Sequence, residues 1–349
     1  MKLFIQIILI LIVFFKTGNL LSENDLFNVN NIQLVKKEKS TNITLANQAI
    51  KNGFNELIEK ILLKEDVDKL SDLDYSSIKE LVSYYQISEK TNEEKIEDFV
   101  KFNITFDKVK IHDLFYKRGI SYSEIVDKEL YVLPILVKDN EIFVFSNNFF
   151  YDNWNNVYKD DLIEFILPLE NIEIIQNINR NKKNLINLEL NTLLQEYSNK
   201  NLALIFIEDN QNSNSEKIYL KTIIHGKNIS KSLNIKKQNL DYDKFYEKVI
   251  TLSKKELISL VKSENLIDIR TPSFLNAKLE LNNRSNLVEL NTRLKKIDLI
   301  ENIFVQEFNK DYVKITIKYL GKLEKIINQL KKENINLKLI NDEWFIKNL

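Results

Sequence analysis

Several short segments of the chain alternate apolar and polar residues, and this period of two is typical of β-strands with one buried face. In residues 99–106 the apolar positions are Val100, Phe102, Ile104 and Phe106. Similar alternation, or an unbroken apolar run, predicts further strands at residues 31–35, 131–137, 141–145, 202–207 and 218–225. The last two strands would form a pair that is joined by a polar tip at residues 209–215.

Other segments repeat apolar residues every three or four positions, which is the spacing of one helix face. Thr44 precedes such a pattern and would cap a helix that begins at Leu45. Asp107 would cap a short helix that Gly119 ends. The same spacing predicts helices over residues 74–85, 185–197 and 243–260.

Residues 147–159 are rich in aromatic residues and asparagine but show neither a helical nor a strand period. This pattern predicts a long loop. Aromatic side chains in a loop can either serve a binding function or plug the edge of a core, and we favour the plug.

Residues 270–349 give the clearest pattern, and the boundary signal Thr271-Pro272-Ser273 lies at their start. Predicted strands and helices follow the order βαββαβ, which is typical of the ferredoxin-like fold. Trp344 and Ile346 would add one more short strand. Because two helices cover only one face of such a sheet, the other face must be covered or polar. We expect the preceding domain to cover it.

The predicted fold class is therefore α+β, with a mixed α/β N-terminal region followed by a C-terminal ferredoxin-like βαββαβ module. We predict a signal peptide in residues 1–22, an α/β domain in residues 23–269 and the ferredoxin-like domain in residues 270–349. The α/β domain would be a single unit or two subdomains that divide near residues 180–200.

The N-terminus has the pattern of a secretory signal. A lysine follows Met1, and the apolar run at residues 3–15 is interrupted only by Gln6. This run is shorter than the ~20 residues that a membrane-spanning helix needs, so we expect export and cleavage. Residues 20–22 lack the usual small-x-small cleavage pattern, and an uncleaved N-terminal anchor is the alternative.

Composition narrows the possible chemistry. The chain of 349 residues has 50 Lys and Arg against 50 Asp and Glu, so it lacks the basic surplus that favours nucleic acid as a partner. It contains no Cys, which removes disulfides, thiolate nucleophiles and Cys-ligated metals. With 44% hydrophobic residues it can bury packed cores.

Five short segments carry a resemblance to a known family. They are residues 46–50 (Ala-Asn-Gln-Ala-Ile), 102–107, 132–134, 317–321 and 341–344. In these segments the chain resembles a family of exported Gram-negative bacterial proteins catalogued only as a domain of unknown function. The resemblance implies a periplasmic or envelope-associated protein, and it provides no reaction and no catalytic residues.

Candidate catalytic groups are few. His112 and His225 are the two histidines, and we expect surface or strand-end positions for them rather than catalysis. Asp160, Asp161 and Glu164 could provide paired carboxylates for glycoside hydrolysis beside the aromatic loop. We favour the simpler interpretation that these three acids form the solvated start of a helix.

We therefore predict no catalytic, cofactor-binding or metal-binding residues and no cofactor. The expected function is that of a non-enzymatic, periplasmic or envelope-associated protein that binds an unidentified envelope protein, for which an open strand edge would suffice. Nucleic acid is not an expected partner, and membrane contact would involve only an uncleaved N-terminal segment. A carboxylate-dependent hydrolase of envelope carbohydrate and a membrane-tethered scaffold are the alternatives.

Overall fold

The computed structural model describes residues 26–36, 41–90, 99–125, 127–158, 162–209, 215–237, 241–281, 285–341 and 343–348. The predicted signal peptide at residues 1–22, most of the predicted polar tip, and the candidates Asp160 and Asp161 lie outside these ranges. The described residues form both helices and sheets, which confirms the predicted α+β class.

The strands, in chain order, are β1 (Asn28–Val35), β2 (Val82–Lys90), β3 (Phe99–Phe106), β4 (Tyr122–Ser123), β5 (Glu129–Lys138), β6 (Glu141–Phe143), β7 (Glu164–Ile166), β8 (Asn201–Asp209), β9 (Ser215–Ile224), β10 (Lys227–Lys236), β11 (Leu266–Ile267), β12 (Ser273–Glu280), β13 (Ile300–Phe308), β14 (Tyr312–Tyr319), β15 (Ile335–Ile340) and β16 (Glu343–Asn348). The α-helices are α1 (Asn42–Ile61), α2 (Lys64–Val67), α3 (Tyr75–Glu80), α4 (Lys108–Arg118), α5 (Phe149–Asn153), α6 (Ile172–Arg180), α7 (Leu190–Leu193), α8 (Tyr242–Glu264), α9 (Ser285–Leu294) and α10 (Leu323–Lys332).

Residue contacts divide the chain into two compact units. The first unit combines the described residues up to Tyr122 with those from Ile267 onward, and the second unit is Ser123–Leu266. This division differs from the expectation that residues 23–269 form a domain separate from residues 270–349. The second unit is instead an insertion in the sequence of the first.

One hydrophobic core explains why the first unit is discontinuous in sequence. Phe102 and Ile104 of β3 belong to the same buried cluster as Ile315 and Ile317 of β14. Periodicity in a sequence identifies the buried face of each strand, but it does not identify which faces share a core. The two outer segments of the chain therefore fold together, which their separate patterns did not indicate.

In the N-terminal part of the first unit, β1, β3 and β2 form an antiparallel sheet in that order. Helix α1 packs so closely on this sheet that a Cβ atom on Gly53 would lie 2.8 Å from Ile32 Cδ1 and 3.0 Å from Ile104 Cδ1. The absence of a side chain at Gly53 permits this approach. The N-cap of α1 is Thr41, whose Oγ1 accepts a hydrogen bond from the backbone N–H of Thr44, so the predicted cap at Thr44 is wrong.

The C-terminal sheet of the first unit has the strand order β13-β14-β12-β16-β15. Its elements follow the predicted order βαββαβ, and the additional strand expected around Trp344 and Ile346 is present as β16. This added strand pairs in parallel with β12 and in antiparallel with β15, and so separates them. The helices that follow β12 and β14 bury Leu290, Leu294, Ile326 and Leu330 in the core.

The other face of the C-terminal sheet carries polar and charged side chains. The ammonium group of Lys278 lies 3.9 Å from the centre of the Tyr312 ring, and Thr316 donates a hydrogen bond of 2.6 Å to Asn276 Oδ1. Phe274, on the same face, is 59% exposed. This face is therefore largely polar, and the expectation that the preceding domain covers it is corrected.

The second unit contains a sheet with the strand order β10-β9-β8-β5-β6, in which β7 also pairs with β5. The central strands β5 and β8 are parallel, and their pairing ends where Lys138 lies opposite Asp209. Nearly every residue of β8 is buried because helices cover both faces of the sheet. Helix α8 contributes to the core on one face, and α6 and α7 contribute to the core on the other.

Aromatic side chains that follow β6 plug the core of the second unit. The side chains of Phe150 and Trp154 are fully buried at and just after the short helix α5. Asn148 precedes this helix and is itself buried, and its Oδ1 accepts a hydrogen bond from the backbone N–H of Phe150. The structure therefore confirms the plug interpretation for the described residues 147–158, with a short helix in place of part of the predicted loop.

Several elements differ from the sequence-based predictions. The helix predicted over residues 74–85 ends at Glu80, and the chain continues as β2. The helix predicted over residues 185–197 is broken into 3-10 turns around α7. Strands β2 and β10 are not among the predicted strands. Both lie at sheet edges, where apolar and polar residues do not need to alternate. Pairing with a neighbouring strand therefore outweighs local periodicity there.

Candidate functional site

His112 lies on α4, and its imidazole ring packs against other aromatic rings. The centre of the ring is 5.2 Å from that of Tyr122, in a stacked arrangement, and 5.6 Å from that of Phe27, in an edge-on arrangement. Burial and the nearby charge of Lys108 lower the pKa of His112 to about 4. The side chain is therefore neutral near pH 7, and it is half-buried against these rings rather than fully exposed at the surface.

His225 forms the turn between β9 and β10 together with Gly226. The φ angles of these two residues are 50° and 75°, which is the backbone conformation of the tightest hairpin turns. The backbone N–H of His225 donates a hydrogen bond of 3.0 Å to Asn201 Oδ1. The structure confirms the predicted strand-end position and gives His225 a role in the turn.

Glu164 is the one described member of the predicted carboxylate set. It begins β7, its side chain is exposed, and its Cα partner in the parallel pairing with β5 is Glu129. The interpretation of Glu164 as part of a helix start is therefore wrong. Among the described residues, no group of three or more His, Asp or Glu is placed to hold a metal ion.

The most unusual polar group of the second unit is a buried cluster that the sequence analysis missed. We call Asp209, Glu216, Lys237, Tyr246 and Lys138 the carboxylate cluster. The side chains of Asp209 and Glu216 are both 0% exposed. Lys237 Nζ lies 2.7 Å from Glu216 Oε1 and 3.5 Å from Asp209 Oδ1, and Lys138 Nζ lies 3.7 Å from Asp209 Oδ2.

The surroundings of the two acids shift their pKa values in opposite directions. Burial alone would raise the pKa of Asp209, but hydrogen bonds from Tyr246 and Glu216 and the charges of Lys237 and Lys138 outweigh it, so the pKa is lowered. Burial raises the pKa of Glu216 to about 7, and the neighbouring Asp209 adds to this rise. The pair therefore holds one negative charge on Asp209 and a proton that titrates on Glu216.

A cavity of about 400 Å³ lies beside the carboxylate cluster. Leu136, Phe143 and Phe149 form its apolar wall, and Lys138 and Tyr246 link it to the cluster. The carboxylates of Asp209 and Glu216 are buried behind these two residues. They lie at the end of β8 and the start of β9, next to helix α8. The buried pair is therefore not in the cavity wall, and the acids that line the cavity are Asp139 and Glu141.

A second cavity, of about 380 Å³, lies in the first unit and is bordered by His112, Arg270 and Lys318. Both cations already have carboxylate partners. Arg270 Nε lies 2.8 Å from Asp268 Oδ1, and Lys318 Nζ lies 2.8 Å from Glu301 Oε2. The cavity therefore has little uncompensated charge with which to hold an anion.

The comparisons with known proteins give no identification. No family model matches the chain, and no curated protein is significantly similar to it. No helix within the described ranges is both long and apolar enough to cross a membrane. The function must therefore be inferred from surfaces of this structure alone.

Within the described ranges, two sheet edges of the first unit each expose more than one large apolar side chain. On β13, at the end of the C-terminal sheet, Phe304 is 41% exposed, Val305 is 58% exposed and Phe308 is 63% exposed. On β2, at the end of the three-stranded sheet, Tyr84 is 54% exposed and Ile87 is 40% exposed. We call these the β13 edge and the β2 edge. Such edges are templates for pairing with another strand.

The long edge strand of the second unit, β10, has a different character. Strand β10 carries Lys227, Lys231 and Lys236, and most of its residues are exposed and polar. Charged edge strands discourage pairing with other chains. The contrast indicates that the apolar edges of the first unit are the better candidates for a functional surface.

Proposed function

We propose that the protein is an exported, periplasmic or envelope-associated protein without catalytic activity, which binds another protein by strand addition at the β13 edge. We further propose that residues 270–348 are a ferredoxin-like module to which β16 has been added. The observation that carries the functional proposal is the exposure of Phe304, Val305 and Phe308 along one edge strand.

The main chain of β13 supports binding of an extended segment. Strand β13 is terminal in its sheet, and within the described ranges β14 is the strand that pairs with it. Its outer N–H and C=O groups can therefore pair with an added strand, which provides affinity without a pocket. The three side chains are about half exposed, so covering the rest would contribute on the order of 1 kcal/mol each, roughly half of the value for complete burial.

Charge favours a basic partner. Glu301 and Glu307 flank Phe304 and Val305, and no Lys or Arg lies between the two glutamates. Lys318 already compensates the charge of Glu301, so the carboxylate that favours a basic partner is that of Glu307, which accepts a hydrogen bond from the Tyr312 hydroxyl. A partner strand with alternating apolar residues and one or two Lys or Arg residues matches this edge.

A peptide provides a direct test. The sequence of β14, Tyr-Val-Lys-Ile-Thr-Ile-Lys-Tyr, already pairs with β13 from the other side and has the expected alternation and charge. We expect this labelled peptide to bind the full chain saturably in fluorescence anisotropy. The matched control peptide has proline in place of its first isoleucine, which removes a backbone donor and should abolish binding.

Two variants of the protein test whether the peptide binds at the β13 edge. Val305→Lys should weaken peptide binding, because it adds a like charge opposite the basic peptide and removes apolar contact. Ile87→Lys on the β2 edge is the matched control and should leave peptide binding unchanged. Equal binding of both peptides, or equal binding by both variants, would contradict the proposal.

Export is tested separately. When the full chain is expressed in a Gram-negative host, we expect it in the periplasmic fraction, with a mature N-terminus that mass spectrometry places near residue 22. Retention of the full chain in the cytoplasm would contradict the proposed location and leave the strand-binding proposal intact.

A further inference from the structure

We propose that the β2 edge pairs with the β2 edge of a second copy of this chain, in antiparallel orientation about a two-fold axis. The two three-stranded sheets would then become one continuous sheet. This inference goes beyond the proposed function, because it concerns a different edge and a different partner.

The composition of β2 favours a copy of itself as the partner. Residues 82–87 (Val-Ser-Tyr-Tyr-Gln-Ile) contain no charged residue, no Gly and no Pro. Tyr84, Tyr85 and Ile87 are 54%, 44% and 40% exposed, and successive residues of a strand point to opposite faces. The edge is therefore apolar on both faces, and two copies would place no like charges opposite each other over this stretch.

The backbone of β2 is also suited to pairing. Its register with β3 is continuous from Tyr84 to Lys90, and the irregularity lies before that, between Val82 and Tyr84. A regular edge strand presents evenly spaced main-chain donors and acceptors, whereas a bulge would turn the edge away. Uncharged segments of six or seven residues with high β-propensity pair readily when they are exposed.

The other described edge strands are less compatible with a copy of themselves. In β1 a bulge lies beside Asn31, whose φ is 63°. On β13, a two-fold axis at Phe304 would place Glu301 opposite Glu307, and β10 carries three lysines. Strand β15, at the other end of the C-terminal sheet, carries Lys338 near its middle, and β6 has only three residues. Like charges directly opposite each other destabilise a strand pair. Self-pairing is therefore assigned to β2.

Symmetry makes the geometry testable. When two identical strands pair in antiparallel about an axis perpendicular to the sheet, one residue lies directly opposite its own copy. Its two Cα atoms are about 4.5–5.5 Å apart, which is within the range of a disulfide. The neighbouring residue is displaced from its copy by two residues along the strand, or about 7 Å, which adds to the spacing between strands. A cysteine there is too far from its copy.

A cysteine scan uses this property. The chain contains no Cys, so a single introduced cysteine can form a disulfide only between copies. We would prepare Tyr84→Cys, Tyr85→Cys, Gln86→Cys and Ile87→Cys of the full chain and oxidise each mildly. Full overlap of the strand places the axis at its middle residue, Gln86. Phe304→Cys on the β13 edge is the matched control.

The outcomes are distinct. A disulfide-linked dimer at one of the four positions, with little at its neighbours and at Phe304→Cys, supports the proposal. Equal cross-linking at all positions indicates random collision and overturns it, as does the absence of cross-linking at all four.

The solution mass provides a second measurement. We expect light scattering to give twice the mass of one chain for the wild type and for Phe304→Lys, and the mass of one chain for Ile87→Lys. Circular dichroism would verify that each variant is folded. A monomeric wild type overturns the proposal, as does an Ile87→Lys variant that remains dimeric. Peptide binding at the β13 edge is measured independently, so either proposal can fail alone.

Discussion

The hydroxyl of Tyr246 donates a hydrogen bond of 2.6 Å to Oδ2 of Asp209, a carboxylate whose side chain is 0% exposed. This bond joins helix α8 to the last residue of strand β8. Burial and the adjacent carboxylate raise the pKa of Tyr246, so the hydroxyl keeps its proton and remains a donor. The contact therefore holds a buried charge at the end of the parallel strand pair.

Removal of this donor should destabilise the protein. Tyr246→Phe retains the ring but leaves a buried carboxylate with one hydrogen bond fewer, and bonds to charged groups contribute about 1.5–3 kcal/mol. We expect a loss of that size in the free energy of unfolding, measured by urea denaturation.

Tyr242→Phe is the matched control for this prediction. Tyr242 is 52% exposed, and its ring, which phenylalanine preserves, faces the ammonium groups of Lys138 and Lys237. We expect the unfolding free energy of the Tyr242→Phe variant to differ from that of the wild type by less than ~0.5 kcal/mol. Equal losses in the two variants would show that the bond from Tyr246 to Asp209 has no special contribution.

The raised pKa of Glu216 predicts in which direction the free energy of unfolding changes with pH. Its pKa is raised from 4.5 to about 7 in the folded protein, so between these values the folded state binds more protons than the unfolded state. The stability that this proton provides is complete below pH ~4.5 and is lost as the pH rises through ~7. Glu216→Gln keeps the buried group uncharged and should remove this fall.

Unfolding free energies of wild type and Glu216→Gln at several pH values between 5 and 8 test this prediction. We expect the stability of the variant relative to the wild type to increase across this range. A constant difference between the two proteins would show that Glu216 does not titrate in this window.

His112 predicts the opposite behaviour at lower pH. Burial lowers the pKa of His112 from 6.5 to about 4, so the unfolded state binds more protons between these values. The stability associated with the neutral ring is present above pH ~6.5 and is lost as the pH falls through ~4. Between pH 6.5 and 5, the free energy of unfolding should therefore fall less for His112→Gln than for the wild type. An imidazole of His112 that titrates near 6.5 in an NMR experiment would contradict this prediction.

Local structure was predictable from the sequence where its pattern was strong. The strand at residues 99–106 and the helix between Asp107 and Gly119 are present as predicted, because strict alternation and side-chain caps act within a few residues. The discontinuous first unit could not be predicted, because the hydrophobic core that Phe102 shares with residues from Ile267 onward exists only in the folded chain.

The candidate surfaces were harder to predict than the elements. Asp209 and Glu216 lie at the two sides of the polar tip of a predicted hairpin, and the acid that follows an apolar strand was the available signal. With 50 acidic residues in the chain, that signal does not distinguish a buried pair from a solvated one. The β2 edge was missed because its apolar residues also fit a helical period, and only pairing with β3 decides between the two.

Gly53 allows a direct test of how closely α1 packs on its sheet. A Cβ atom at this position would lie 2.8 Å from Ile32 Cδ1, which is closer than side-chain atoms normally approach. Gly53→Ala should therefore force the ends of two isoleucines to move, and because alanine gains about 1 kcal/mol in helix propensity, we expect a net cost of about 1 kcal/mol of unfolding free energy. The matched control is Asn52→Ala, an exposed position of the same helix, where alanine should be neutral or slightly stabilising because of its helix propensity. If thermal denaturation shows that Gly53→Ala also stabilises the protein, the isoleucine side chains can move without cost, and the gain in helix propensity outweighs the contact.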